Sequence, residues 1–146
     1  MFKKILFPIN SLENSKSTIT YVKDLAKKYS SEVVVLSLLD LSVISGSPLI
    51  FSLNEDQEEN ILFAYQYVID QVKEEIEKEG LKVTSKLKKG KPGPLICKVA
   101  EEENCDLIIM AKRDLGTIKS YLLGSVSNYV IHNSKCPIFL IDTEFD

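Results

Sequence analysis

Val33-Val34-Val35-Leu36-Ser37-Leu38-Leu39 carries no charge and is apolar at every position except Ser37. A strand with one wet face alternates apolar and polar residues, whereas a strand covered on both faces does not. This run therefore reads as a central strand of a parallel sheet, ended by Asp40. Upstream, Lys3–Ile9 is a second short strand with the apolar centre Ile5-Leu6-Phe7. Between the two, a polar turn from Asn10 to Ser15 leads into Ile19, Val22, Leu25, Ala26 and Tyr29 at helical spacing, which predicts a helix over about 15–30. Two strands joined by a helix define one βαβ unit.

Downstream, Leu41–Asn54 holds Gly46, Pro48 and several serines among apolar residues, with no clean period. It reads as a long crossover loop lying against the body or a partner, and loops of that length often carry function. Ile61, Tyr65, Val68, Ile69, Val72 and Ile76 then stripe a helix over about 55–79, with acidic residues in its first turns and Gly80 as its stop. Leu81–Lys88 alternates: Leu81, Val83, Ser85 and Leu87 on one side, Lys82, Thr84, Lys86 and Lys88 on the other. A central parallel strand would not carry that lysine row; an edge strand would, because lysines discourage stray pairing. Gly90-Lys91-Pro92-Gly93-Pro94 turns sharply into a helix over about 94–104. Asp106–Ala111 is another buried strand, 112–123 a loop, Val126–Asn133 a short helix and Pro137–Ile141 the last strand.

Strands alternating with helices define an α/β domain with a mainly parallel sheet. With the lysine-bearing strand at one edge and right-handed crossovers, the expected architecture is a single doubly wound domain over 1–146. Its five strands take the order 3-2-1-4-5, with helices on both faces. The chain reverses its direction of travel between strands one and four, and open sheets bind ligands at such a switch point. Strand five is the other edge. It is apolar, with neither lysine nor interior proline, which predicts a homodimer through 137–141.

The chain has 146 residues, of which 45% are hydrophobic and 27% charged, so it is globular rather than disordered. A net charge of −3 does not mark a nucleic-acid or anionic-membrane binder. No apolar run approaches the length of a bilayer span, and the apolar stretch after Lys3-Lys4 is too short for a signal peptide. A cytoplasmic protein is expected. Cys97, Cys105 and Cys136 form no CxxC pair and His132 is the only histidine, so the thiols read as reduced, packed side chains and no zinc site is expected.

Two stretches flank the expected switch point. Gly124-Ser125 opens the last helix, where Ser125 can cap and the first-turn N–H groups can meet an anion; plain capping is the commoner use of such a pair. Asn10 at the end of strand one can bond a base or ribose, or simply form an Asx turn. Leu38 could wall a pocket or fill the core. Lys112, Arg113 and Lys119 could neutralise phosphate or be ordinary loop charges. Lys86, Lys88, Lys89 and Lys91 read as a solvated edge, with an RNA surface as the alternative. GxxxxGK[ST], GxGxxG after strand one and GxSxG are all absent, and no catalytic constellation emerges.

With these residues in place, the chain resembles the universal stress protein family along its whole length. Lys4-Ile5-Leu6-Phe7-Pro8-Ile9-Asn10-Ser11 looks like that family's opening strand, and Gly90-Lys91-Pro92 is similar to its G-x-P turn. Asn104–Met110 matches its approach to strand four. Gly124-Ser125-Val126-Ser127-Asn128-Tyr129-Val130 with Cys136-Pro137-Ile138 is its most specific stretch. The resemblance implies a non-enzymatic dimer acting in stress survival through contacts with an unidentified protein partner. In the family's nucleotide-binding branch, G-x2-G-x9-G-[S/T] holds phosphates, and an aspartate ending strand one contacts the adenosine part. By that correspondence Asn10, Leu38, Gly124, Ser125, Val126 and Ser127 would line the pocket here. The final pair falls on Gly124-Ser125, but the two earlier glycines fall on Ala111 and Asp114 and the aspartate on Asn10.

Ala111 adds a methyl group that only a positive φ would make costly. A carboxylate at Asp114, about 5 Å from a phosphate charge, costs roughly 3 kcal/mol at an effective dielectric near 20, more than a hundredfold in affinity. Asn10 loses a charge-assisted acceptor. The expectation is therefore no bound cofactor and weak or lost ATP binding. The alternative is a sensor of ATP, ADP or AMP with at most feeble hydrolysis, and a further one an RNA-binding accessory.

Overall fold

The computed structural model describes residues 1–9, 12–40, 55–112 and 124–142, apart from the side chains of 12–15. The sequence-based loops 41–54 and 112–123 thus fall outside the described residues, Lys112 excepted. The elements in chain order are β1 (Lys4–Ile9), α1 (Leu12–Tyr29), β2 (Glu32–Leu39), α2 (Glu55–Glu77), β3 (Val83–Lys89), α3 (Pro92–Glu102), β4 (Leu107–Ala111), α4 (Ser125–Asn133) and β5 (Ile138–Ile141). They form one five-stranded sheet ordered β3-β2-β1-β4-β5, with every pair parallel. The predicted order stands, and the sheet is wholly rather than mainly parallel.

The alternation of side chains along each strand divides the core into two layers. Ile5, Phe7, Val33, Val35, Leu107 and Ile109 pack with Ile19, Val22 and Ala26 of α1 and Ile69, Val72 and Ile76 of α2. Leu6, Val34, Leu36, Leu38, Ile108 and Met110 pack with Ile96, Val99 and Ala100 of α3 and Val130 of α4. Most of these side chains are wholly buried. Cutting one of the large ones, such as Ile108, back to alanine costs about 2–5 kcal/mol. On α2 the outer-face residues Phe63 and Tyr67 remain 75% and 58% exposed.

The helices stop where the backbone turns left-handed. Asn104 takes φ +55, with Cys105 N–H donating to the Ala100 carbonyl at 2.9 Å and Asn104 N–H to that of Glu101 at 3.2 Å. This is a Schellman end that satisfies otherwise orphaned carbonyls. Ser30, at φ +52, ends α1 with the corresponding bond from Ser31 to Ala26. The chain then enters the sheet under tight control. Both oxygens of the Asp106 carboxylate accept backbone N–H groups, from Lys3 at 2.9 Å and Lys4 at 3.0 Å. The Ser31 hydroxyl donates to the Phe2 carbonyl. These contacts pin the start of β1 between β2 and β4.

On β3, Val83 is buried and Leu81 and Leu87 pack beside it, while Thr84 and Lys88 face water. The lysines there are not simply solvated: Lys82 pairs with Glu32 at 3.0 Å, Lys86 with Glu103 at 2.7 Å and Lys89 with Glu58 at 2.6 Å. At the opposite edge Phe139 of β5 is 39% exposed, touching only the edge of the Phe2 ring, 6.0 Å between centroids, among described aromatic contacts.

Candidate functional site

In a parallel sheet all strand C-termini lie at one edge of the molecule, and β1 and β4 flank the reversal of strand order there. Four pieces of chain meet at this edge. The first is the α4 N-terminus. Gly124 is its cap residue, buried, with extended backbone (φ −57, ψ 156), and its carbonyl accepts the Asn128 N–H at 2.9 Å. This corrects the expectation that Ser125 caps: Ser125 already stands inside the helix as its first residue and is exposed. The reason is steric and local, since glycine fills the cap position without a side chain and its carbonyl closes the first turn. The first-turn amides lie outside the helix's own ladder and carry the positive end of its dipole. Val126 packs against the α3–α4 layer and Ser127 is fully buried.

The second piece is the end of β2. Leu38 is 7% exposed and sits in the same layer as Val126. Its neighbour Leu39 accepts the Gly90 N–H at 3.0 Å, which holds the turn into α3 against β2. That turn positions α4 in its place. A Cβ at Gly93 would come within 2.9 Å of the Tyr129 ring, so α3 and α4 approach as closely as they do because position 93 has no side chain.

The third piece is the end of β4. Ala111 lies opposite Ile141 in the ladder and is not among the positive-φ residues, so its methyl group imposes no backbone strain. Lys112 donates its N–H to the Ile141 carbonyl at 2.8 Å, and its ammonium lies 3.5 Å from the Asp142 carboxylate. The fourth piece is β1, which ends at the buried Ile9. Asn10, Arg113, Asp114 and Lys119 lie outside the described residues. The structure thus brings Leu38 together with Val126, in the layer below the Gly124 cap. Sequence reasoning missed the Lys112–Asp142 pair and the Gly93–Tyr129 contact. Only the glycine-proline turn carried any hint of the second.

Among the described residues, the resolved electrostatic perturbations lie away from this edge. The Lys86 and Lys4 ammonium groups, at 2.7 Å and 3.1 Å, hold the Glu103 carboxyl below its ordinary value, and Glu103 in return raises Lys86. Burial pushes the Cys105 thiol up to about 12 and raises Cys97 as well. Among the described residues, no three His, Cys, Asp or Glu side chains are placed to hold a metal ion, and no helix is long and apolar enough to cross a membrane.

Sheet order, paired layers and a glycine-capped helix at the switch point define a doubly wound α/β protein with an anion-compatible helix end at the edge where open sheets of this kind bind ligands. The profile of the universal stress protein family matches residues 1–142, and the chain belongs to that family. It is 29% identical to universal stress protein MJ0577 of Methanocaldococcus jannaschii, over 97% of this chain and 95% of that protein. The solved MJ0577 structure superposes with a TM-score of 0.85 at 28% identity, covering 100% of this chain and 99% of that one. Universal stress protein MJ0531 of the same organism is likewise 29% identical, over 97% of this chain and 82% of that protein. A universal stress protein from Archaeoglobus fulgidus, solved in complex with dAMP, shares the fold at a TM-score of 0.69 and 16% identity, covering 97% of this chain and 98% of that one.

Proposed function

We propose that this universal stress protein is a non-enzymatic, cytoplasmic dimer that acts through protein contacts and holds ATP only weakly. The observation that carries the reading is at the end of β4. The Lys112 ammonium, one of the cations that could offset the negative charge of Asp114, lies 3.5 Å from Asp142. In sequence a carboxylate, Asp114, stands where the nucleotide-binding branch has glycine, and the Lys112 counter-charge is already engaged by Asp142. Dimerisation through 137–141 rests on the exposed Phe139 and the absence of lysine in that edge.

A second reading, an adenine-nucleotide sensor restricted to short phosphate tails, has support of its own. Ala111 is accommodated without strain, and the α4 helix end keeps its glycine cap. The dAMP with which the Archaeoglobus fulgidus relative was solved has a single phosphate. Under this reading Asn10, Leu38, Gly124, Ser125, Val126 and Ser127 would hold AMP better than ATP. The RNA-binding alternative loses ground, since Lys86 and Lys89 of its strip are drawn to Glu103 and Glu58.

Calorimetric titration of ATP, ADP and AMP, with and without magnesium, separates these readings. Silence of the wild type toward ATP, with binding restored in the Ala111→Gly/Asp114→Gly variant by about a hundredfold or more, fits the main reading. AMP binding by the wild type adds the sensor role. Micromolar ATP binding by the wild type sinks the main reading.

A further inference from the structure

Cys97, Cys105 and Cys136 come from three places in the fold: α3, its exit toward β4, and the entry to β5. All three line a single cleft of about 210 Å³, walled also by Ala100, Glu101, Asn104, Asn133 and Lys135. The cleft lies at the C-terminal ends of α3 and α4, at the edge of the sheet opposite the α4 N-terminus. Glu101 and Lys135, both exposed, pair across its rim at 2.9 Å.

The shared cleft and the packing of the α3–α4 layer place two of these thiols near one another. Ile138 lies opposite Ile108, and the Ile108 N–H donates to the Pro137 carbonyl at 3.0 Å. Cys105 and Cys136 each stand two residues before their strand begins, at the entries to the paired neighbours β4 and β5. Adjacent strands run about 4.8 Å apart, and a disulfide needs its Cα atoms roughly 4.4–6.8 Å apart. Both residues belong to the α3–α4 side of the sheet: Cys105 is 8% exposed in that layer, and Cys136 packs against it from a half-buried position. Cys97 stands on the helix, a layer away from the sheet. The Ser134 hydroxyl donates to the Cys136 carbonyl at 2.9 Å. Its one hydrogen thus used, it can only accept from the Cys136 S–H at 3.6 Å.

We propose that this cleft is an oxidation site, in which a hydroperoxide oxidises Cys136 and Cys105 closes onto it as an intramolecular disulfide. In the first step the Cys136 sulfur attacks one peroxide oxygen. The O–O bond breaks, the thiol proton goes to the departing oxygen as water, and a sulfenic acid remains. In the second step the Cys105 sulfur attacks that sulfenic sulfur, displacing hydroxide, which takes up the Cys105 proton and leaves as water. Two thiols lose two electrons and two protons, and hydrogen peroxide becomes two waters. Cys136 goes first because it is the more accessible of the two. Burial keeps Cys105 protonated, so the reduced pair gains no stabilisation from a thiolate of the kind that makes a disulfide strongly oxidising. The same protonation makes the reaction slower than at an activated thiol. The bond staples β5 to β4 at the root of the exposed edge.

The test uses the reduced full chain exposed to millimolar hydrogen peroxide, quenched with N-ethylmaleimide and mapped by non-reducing peptide mass spectrometry. The expected result is a monomer-internal Cys105–Cys136 link, with two of three thiols protected and Cys97 alkylated. Cys136→Ser should leave both remaining thiols alkylated. Cys97→Ser should form the link as the wild type does, and it decides the matter if the first variant folds poorly. A Cys97–Cys136 link, links only between chains, or three alkylated thiols in the treated wild type would overturn the proposal. None of these outcomes depends on whether a nucleotide binds.

Discussion

The two edges of the sheet meet water in opposite ways. β3 presents seven residues with alternating polarity, and three lysines in and beside it reach carboxylates on β2, α2 and the end of α3. β5 presents four apolar residues, an exposed phenylalanine and no charge. Unpaired N–H and C=O groups line both, and either could recruit another strand. Charge closes the first edge to that, because a second strand would have to bury or displace the paired lysines. The second edge has no such guard. Where a chain spends charge on one edge and none on the other, the bare edge is the one available for pairing.

Three variants break or sharpen this contrast. Leu140→Asp puts a carboxylate into the half-buried α3–α4 side of β5 and should have the largest effect. We expect loss of the dimer in sedimentation velocity and about 2–3 kcal/mol of destabilisation by urea denaturation. Phe139→Lys gives β5 the kind of guard that β3 already has. It should yield a folded monomer and lose the ring-edge contact with Phe2, about 0.5–1.5 kcal/mol; a wild type that is itself monomeric at micromolar concentration would remove the contrast. Glu103→Gln acts on the guarded edge and is the mildest, at most about 1 kcal/mol for a largely solvated pair.

Its signature is pH dependence. The folded Glu103 carboxyl lies below its ordinary 4.5, so its contribution is present above pH 4.5 and is lost as pH falls through the lowered folded value. Lys86 lies above its ordinary 10.5, so its contribution is present below pH 10.5 and is lost as pH rises through the raised value. The variant should therefore be less stable than the wild type at neutral pH and converge with it in acid. Urea midpoints measured across pH 3–8 check this, and parallel curves would remove Glu103 from the account.

Strand order was legible because it rests on local patterns: the unbroken run of β2, the lysine alternation of β3, and helical spacing between. Gly80 marked the end of α2 because backbone conformation is a local property, but the sequence reads the glycine-proline turn two residues too long: α3 begins at Pro92, and Gly93 and Pro94 are already helical. Contacts between distant residues were not legible. Lys4 meets Glu103 across 99 residues and Lys112 meets Asp142 across 30, and no periodicity encodes either. The three cysteines read as unrelated because each sits in a different element; only register and layer packing place them around one cleft. At the candidate site, the sequence reads Ser125 as the residue that can cap α4, yet it could not say that Gly124 occupies the cap instead. Serine is a good cap wherever it stands, and only the backbone angles decide between neighbours.

The clamp of Asp106 on the first residues of β1 has a consequence for synthesis. β1 is the middle of the sheet but the first strand made. β2 is complete 30 residues after β1 ends, while the other neighbour of β1, β4, and the Asp106 carboxylate follow about 70 residues after β2 is complete. At translation rates of about 5–20 residues per second, the open side of Ile5-Leu6-Phe7 waits roughly 3–14 s for its partner on the ribosome. During that interval the two backbone N–H groups that Asp106 will accept, those of Lys3 and Lys4, are left to water.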